Sequence, residues 1–369
     1  MSWIAMASRD AGVFDPAGLQ IGARFATQAQ QSGGQDVGNA LLPRGSLMVE
    51  TRISSNGRPQ RLLSLRRSHP WEAQISLQAI PGDGIALVLS QGKDVFHKVL
   101  QHNAEARTDV LRITYSWDAP SRWGRLAIER PESETVISAV TPPPQPLMLE
   151  DIRVLVHRPQ LRQMDEDMLY FAVSNDIEPL GPMPSLASDV PIATPFGYRN
   201  VGALKIGDTV QTRDAGIVPV LGVVKRTVPA HGSFRPVRLR APYFGLVRDI
   251  VVAPEQRLVI EGSDVEYMFG KEAVLVPARH LVNGVSAVNE TGHGLVEYTQ
   301  LILPGHQALT CAGTSLESLF VGRLRRKPEL LAQTVLAGFN RSRLPEHARA
   351  SYPVLKPFEA ITLAQNRAA

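Results

Sequence analysis

The strongest constraint on this chain is its punctuation. Short apolar runs alternate with Gly, Pro, Asn and Asp turns through most of the sequence. Ser46–Ile53 places Leu47, Val49 and Ile53 on one side and Glu50 and Arg52 on the other, the period-two signature of a half-buried strand. Ser54-Ser-Asn-Gly57 follows, and Asn-Gly is the strongest short hairpin signal. Further strands are expected at 61–65, 74–80, 84–90, 94–100, 110–117 and 124–129, with Pro81-Gly-Asp-Gly84 turning one into the next. Short strands at this spacing predict a β-sandwich over residues 44–180. Tyr170–Val173 reads as a strand that returns to it. Residues 1–43 read as a weakly structured lead-in, with a loose loop at Gln28–Gly38. Thr141-Pro-Pro-Pro-Gln-Pro146 reads as a stiff linker, and 147–156 and 159–169 as short helices.

With 369 residues the chain is long enough for two domains, and 44% hydrophobic with 20% charged residues is the balance of an ordinary folded, soluble protein. The net charge of +4 is small for this length. Arg323-Leu-Arg-Arg-Lys327 could touch phosphate but reads more readily as a solvated helix face, and no nucleic-acid partner is expected. Cys311 is the single cysteine; it lies in an apolar run, excludes an intrachain disulfide and reads as a small buried hydrophobe. The N-terminus lacks the pattern of a signal peptide, and no apolar run reaches membrane-spanning length. A cytoplasmic location is the default, with export that needs no such signal left open.

Thr108–Pro120 followed by Trp123–Glu129 resembles the paired strands of laminin-G-like and concanavalin-like sandwiches. That resemblance implies a jelly-roll-like sandwich that serves as a binding domain, with a carbohydrate or a protein as the partner. Trp71, Trp117 and Trp123 could stack on sugar rings, or serve as core and rim aromatics with their N–H groups paired. Asp109 and Asp118 are carboxylates without compelling calcium spacing. No metal or cofactor is expected.

The second half carries a denser signal. Ile192-Ala-Thr-Pro-Phe-Gly197 leads to Val201-Gly-Ala-Leu-Lys-Ile-Gly-Asp-Thr-Val210, where Gly207-Asp208 marks a tight corner. Val220–Val228, Asp249–Ile260, Val274–Asn283 and Val296–Ser318 follow in order. Together these blocks, over residues 185–320, resemble the Hedgehog/intein (Hint) family in its bacterial members. The resemblance implies an all-β horseshoe domain and a self-cleaving chemistry. In that chemistry a Cys at the first position attacks the preceding carbonyl, and a Thr-x-x-His element polarises the amide and protonates the departing nitrogen. Residues 321–369 are expected to form a helical extension, with helices at 329–338 and 354–366.

The catalytic positions depart from the family. The nucleophile position falls on Ser185, the Thr and His positions on Ala253 and Gln256, and a further His position on Gln300. A hydroxyl needs activation by a base, and a glutamine delivers no proton at neutral pH. His306 and His280 remain as candidates; His231 and His293 lie nearby in sequence. No zinc spacing, nucleophile elbow, phosphate loop or closing His-Asn pair is present. The sequence therefore predicts a Hint scaffold with a degenerate catalytic set, more a binding or interaction protein than an enzyme. The alternatives are cleavage at Pro184–Ser185 through Ser185, and carbohydrate binding through the sandwich.

Overall fold

The computed structural model describes residues 3–21, 37–53, 58–80, 84–102, 110–133, 135–291 and 294–368. The readings placed on 28–36, 54–57, 81–83, Asp109 and His293 lie outside these residues. The chain divides into two compact units, Met1–Leu180 with Gly292–Leu295, and Gly181–Thr291 with Val296–Ala369.

The first unit is a sandwich. Its seven-stranded sheet runs, edge to edge, Thr135–Val140, Trp123–Arg130, Val110–Asp118, Arg44–Arg52, Met168–Ser174, Trp3–Ala7 and Gly12–Phe14. The five-stranded sheet runs Arg162–Met164, Gln60–Arg67, Ala73–Ile80, Gly84–Gln91 and Asp94–Gln101. Antiparallel pairing of Arg44–Arg52 with Val110–Asp118 aligns Leu47 with Tyr115 and Val49 with Ile113. Those side chains meet Leu63, Leu65, Ile75 and Leu77 of the other sheet in one apolar core. Tyr170–Val173 does return: it lies in a strand between Arg44–Arg52 and Trp3–Ala7.

Some expectations change. Trp3–Ala7 lies in the lead-in and is a strand with every residue buried. Leu149–His157 is a helix, with Ile152, Leu155 and Val156 buried. The 159–169 segment is not: it turns and gives the strand Arg162–Met164 against Leu63–Leu65. Arg162 decides this, because its buried guanidinium caps the carbonyls of Leu155 and Ser8 and so lies across the end of the preceding helix. Trp117 is fully buried, donates Nε1–H to the Leu42 carbonyl at 3.0 Å and stacks on Tyr115, so it is a core residue. Trp123 is half-buried beneath Arg125, and Trp71 is 40% exposed with Arg67 over its ring.

The second unit is also built from strands. One sheet orders Gly222–Pro229, Leu295–Ile302, Leu186–Ala187, Ile250–Val252, Val237–Leu239 and Ala287–Asn289. An eight-stranded sheet orders Gly197–Asn200, Pro191–Thr194, Ala308–Cys311, Thr314–Glu317, Arg257–Glu261 and Ala273–Pro277, with Thr209–Thr212 and Gly216–Pro219 joined to it at Ala308–Cys311. Gly207, at φ 91°, makes the corner before Asp208, whose carboxylate accepts from the Lys205 N–H. The C-terminal segment is less helical than expected. Pro328–Leu331 is a single turn, and the helix at the end spans Pro357–Ala368. Thr334 stops the first: its hydroxyl donates back to the Leu331 carbonyl and accepts from the Leu336 N–H, a local turn that competes with the helix.

Candidate functional site

Ser185 sits where the chain enters the second unit, and backbone pairing fixes it. Leu186 is wedged between two strands, opposite Val252 on one side and Thr299 on the other. One residue earlier, the Ser185 carbonyl accepts from the Ala253 N–H at 2.7 Å. Ala253-Pro-Glu-Gln256 is a turn closed by the Gln256 N–H on the Ala253 carbonyl at 3.0 Å, with Pro254 supplying the fixed φ that such turns favour. The Gln256 carbonyl in turn accepts from Ala278, and Arg279 pairs with Glu255. The turn therefore cannot swing away, and the Gln256 side chain is held inward, completely buried.

Three of the residues singled out from the sequence meet there. The Ser185 hydroxyl donates to Gln256 Oε1 at 2.6 Å. Gln300, from the strand beside Leu186, presents Nε2 to Ser185 Oγ at 3.2 Å, to Gln256 Oε1 at 3.0 Å and to the Glu317 carbonyl at 3.0 Å. Gln256 Nε2 donates to the carbonyls of Arg257 and Glu317. Gln300 Oε1 is buried with no hydrogen-bond partner among the described residues. Ala253 contributes a backbone N–H where a Thr would add a hydroxyl.

The geometry assigns the protons. An ordinary primary amide offers two N–H donors and one acceptor oxygen, and neither end titrates near neutrality. The Ser185 proton points at an amide oxygen, which is no base. Its oxygen receives an N–H from a second amide, which lowers its nucleophilicity. Within hydrogen-bond reach of Ser185 Oγ, this arrangement can orient a hydroxyl and cannot ionise it.

His306 lies one step away. Its Nδ1 accepts from the Ser351 N–H at 3.0 Å, which leaves the proton on Nε2, 3.3 Å from Glu317 Oε2. Arg257 reaches the same carboxylate oxygen at 3.3 Å. Among the described residues, Glu317 links His306 to the Ser185 group: its backbone carbonyl serves the two glutamines, and its carboxylate lies beside His306 and Arg257. Its ring also meets Phe320 edge-on and lies 5.9 Å from the His347 ring. His280 is not brought to Ser185 by any hydrogen bond among the described residues. Burial, and then the neighbouring Arg279, push its pKa down to about 4, so it is a neutral group. Burial lowers His231 to about 4 in the same way. Cys311 is fully buried, and burial raises its thiol well above the usual range.

Sequence reasoning did not find Glu317, Arg257, Ser351 or His347 as parts of this neighbourhood. Ser351 acts through its backbone N–H and Glu317 in part through its backbone carbonyl, and such contacts leave no side-chain signature. Arg257 adjoins Gln256 and was available as a candidate on position alone.

A comparison with curated protein sequences gives no match. Among solved structures, the chain is similar to the MchDnaB-1 intein, at 15% identity over 36% of this chain and 98% of that one, with a TM-score of 0.25. It is similar to the gp41-1 intein at 11% identity, covering 37% and 98% of the two chains, TM-score 0.25. The Ruminococcus gnavus IT-sialidase CBM40 is 13% identical over 37% of this chain and 77% of its own, TM-score 0.27. The family model described as Hint domain matches residues 184–323, opening one residue before Ser185. The protein therefore carries a Hint domain, with Ser185, Gln256 and Gln300 clustered where its chain begins.

Proposed function

We propose that this Hint domain keeps its fold without cutting the chain, and that the protein is a non-catalytic binding or interaction protein. The observation that carries this reading is the Ser185 hydroxyl donating to Gln256 Oε1, with Gln300 as its second neighbour. An acyl shift at Pro184–Ser185 needs a base for the hydroxyl and an acid for the leaving nitrogen, and general acid help of that kind contributes about 10²–10⁴-fold. Amides supply neither. The test is the mass of freshly purified protein, incubated with and without added thiol or hydroxylamine. A single 40.3 kDa species is expected throughout. Fragments whose new N-terminus is Ser185 would overturn the reading and establish the autoproteolytic one.

A second reading concerns the sandwich. Trp71 is a large aromatic open to solvent, and the Arg67 guanidinium lies 5.1 Å from its ring centre. Arg67, held by Asp151 and by the His69 and Trp71 carbonyls, covers one face of the ring, and stacking on a sugar would use the exposed remainder. A glycan array with the intact protein and Trp71→Ala tests it; binding that survives the substitution, or no binding at all, removes Trp71 as the carrier.

A further inference from the structure

The positive charge of this protein is concentrated in one place. Residues 321–369 hold nine Lys or Arg against three Asp or Glu, a surplus of six, whereas the whole chain is only +4. The first 320 residues therefore carry a small acidic excess. Two separate runs supply most of the surplus. Leu324–Arg326 and Arg341–Arg343 are each a single turn of 3-10 helix. They are drawn together over the small apolar cluster of Leu331, Leu336 and Leu344. Arg325 crosses to the Leu344 carbonyl, and Arg325 and Arg326 both close on the one carboxylate of Glu346. That shared carboxylate ties the two runs into one face and leaves the pair of arginines with a net charge.

The other cations of this face are exposed. Arg323, Lys327, Arg341, Arg343 and Arg349 have no ion-pair partner among the described residues, and between residues 321 and 350 Glu329 is the one acid besides Glu346. The sequence suggested a single solvated helix face at 323–327; the structure instead gathers two runs onto one surface. We propose that this surface binds the phosphate backbone of a double-stranded nucleic acid without reading its sequence.

Three features point to that partner. Guanidinium groups dominate the patch, and their planar forks match phosphate oxygens in pairs. Among the described residues, no large hydrophobic side chain between residues 320 and 350 is exposed. A single strand would want aromatic platforms for its bases, and a bilayer would want an apolar wedge beside the charges. A duplex needs neither, and its charge density, about one phosphate per 1.7 Å of axis, rewards a compact cluster of cations.

The experiment uses the intact protein, a fluorescent duplex of about 20 base pairs with arbitrary sequence, and a salt titration of binding anisotropy. Binding is expected at low salt, with log K falling against log salt with a slope of about −4, as for roughly five phosphate contacts. Sequence changes in the duplex should leave the affinity within about threefold, since contacts to phosphate carry no sequence information. The Arg341→Glu, Arg343→Glu variant, altered only at exposed side chains, should bind at least about tenfold more weakly with a slope shallower by about 2. Arg341→Lys, Arg343→Lys should retain most of the binding. The proposal is overturned by an absence of duplex binding at low salt or by an unchanged slope in the Glu variant. It is equally overturned by binding to phosphatidylserine vesicles that the duplex does not displace, which would assign the face to a membrane surface.

Discussion

Ser185 is a good place to see how one atom type decides a reaction. The serine has a carbonyl held by Ala253 N–H and a hydroxyl aimed at a side chain three residues further round the same turn. Replacing the hydroxyl with a thiol supplies a better nucleophile, but its side-chain neighbours are still two amides, which offer no proton to a leaving nitrogen. Ser185→Cys is therefore expected to remain a single full-length species, measured by mass spectrometry after prolonged incubation with thiol. Gln256 makes the opposite case, as a residue whose worth is structural. It is fully buried and joins Ser185, Gln300, Arg257 and Glu317. Gln256→Ala removes the acceptor of the Ser185 hydroxyl and a donor to the Arg257 carbonyl, leaves the Glu317 carbonyl to Gln300 alone and opens a cavity, so a loss of about 2–4 kcal/mol is expected from urea unfolding. The positions of Ser185, Gln256 and Gln300 were legible in the sequence because ordered blocks of residues around them fix the alignment. Glu317 closes the last of those blocks, but the part its carbonyl plays beneath the two glutamines was not legible, because a backbone carbonyl is the same in every residue.

At the scale of elements, alternation found the Ser46–Ile53 strand but not its burial: Glu50, read on the polar side of a half-buried strand, is fully buried and accepts from Arg112, and Met48 and Thr51 are buried with it. Trp-Ile-Ala-Met-Ala has no polar beat, and Trp3–Ala7 is buried on both faces. The 159–169 segment failed for another reason: its apolar spacing fits a helix, but Arg162 serves as a cap for the helix before it. Trp117 belongs with the legible strands, since its alternation with Tyr115 and Ile113 points it to the core. Trp117→Ala is expected to cost about 3–5 kcal/mol in urea unfolding.

The C-terminal elements are secured by two histidines whose tautomers are set by their partners. His347 Nδ1 accepts from the Val321 N–H at 3.2 Å, so its proton lies on Nε2, directed at the Leu303 carbonyl at 3.2 Å. Burial lowers its pKa to about 4; the Leu303 carbonyl opposes that shift and His306 reinforces it. The facing titratable groups are His306 and, behind it, Glu317. The folded pKa lies below the unfolded one, so the neutral ring is favoured by folding. Its stabilisation is complete above about pH 6.5. Below that the unfolded chain takes up a proton that the folded one refuses, and stability falls down to about pH 4, on the order of 1 kcal/mol per pH unit. Melting temperature measured between pH 7 and 4 should drop accordingly. His347→Leu should flatten that slope by about one proton while lowering stability at every pH.

For the whole molecule, the family match and the physical domain end in different places. The Hint match closes at residue 323, yet the apolar core of the second unit draws on residues far beyond it. Leu331, Leu336 and Leu344 pack with Val224 and Ile302. Leu355, Ala360 and Leu363 are buried in the cluster that contains Leu186, Val252 and Leu301. The backbone takes part as well: Leu275 donates to the Pro353 carbonyl and accepts from the Leu355 N–H. Sequence patterning separated this segment because it carries no strand rhythm and sits behind a run of arginines. Physically it is a strap across the domain. Each buried leucine contributes about 1.5–3 kcal/mol, so the strap supplies on the order of 10 kcal/mol, comparable with the entire stability of an ordinary domain. A chain ended at Arg323 is therefore expected to lose cooperative unfolding of the second unit. The check is amide hydrogen exchange of 185–320 in the truncated chain: protection of Leu258–Ile260 and Val274–Val276 should collapse toward that of an unfolded segment. Native-like protection there would show that the Hint strands hold together without the strap.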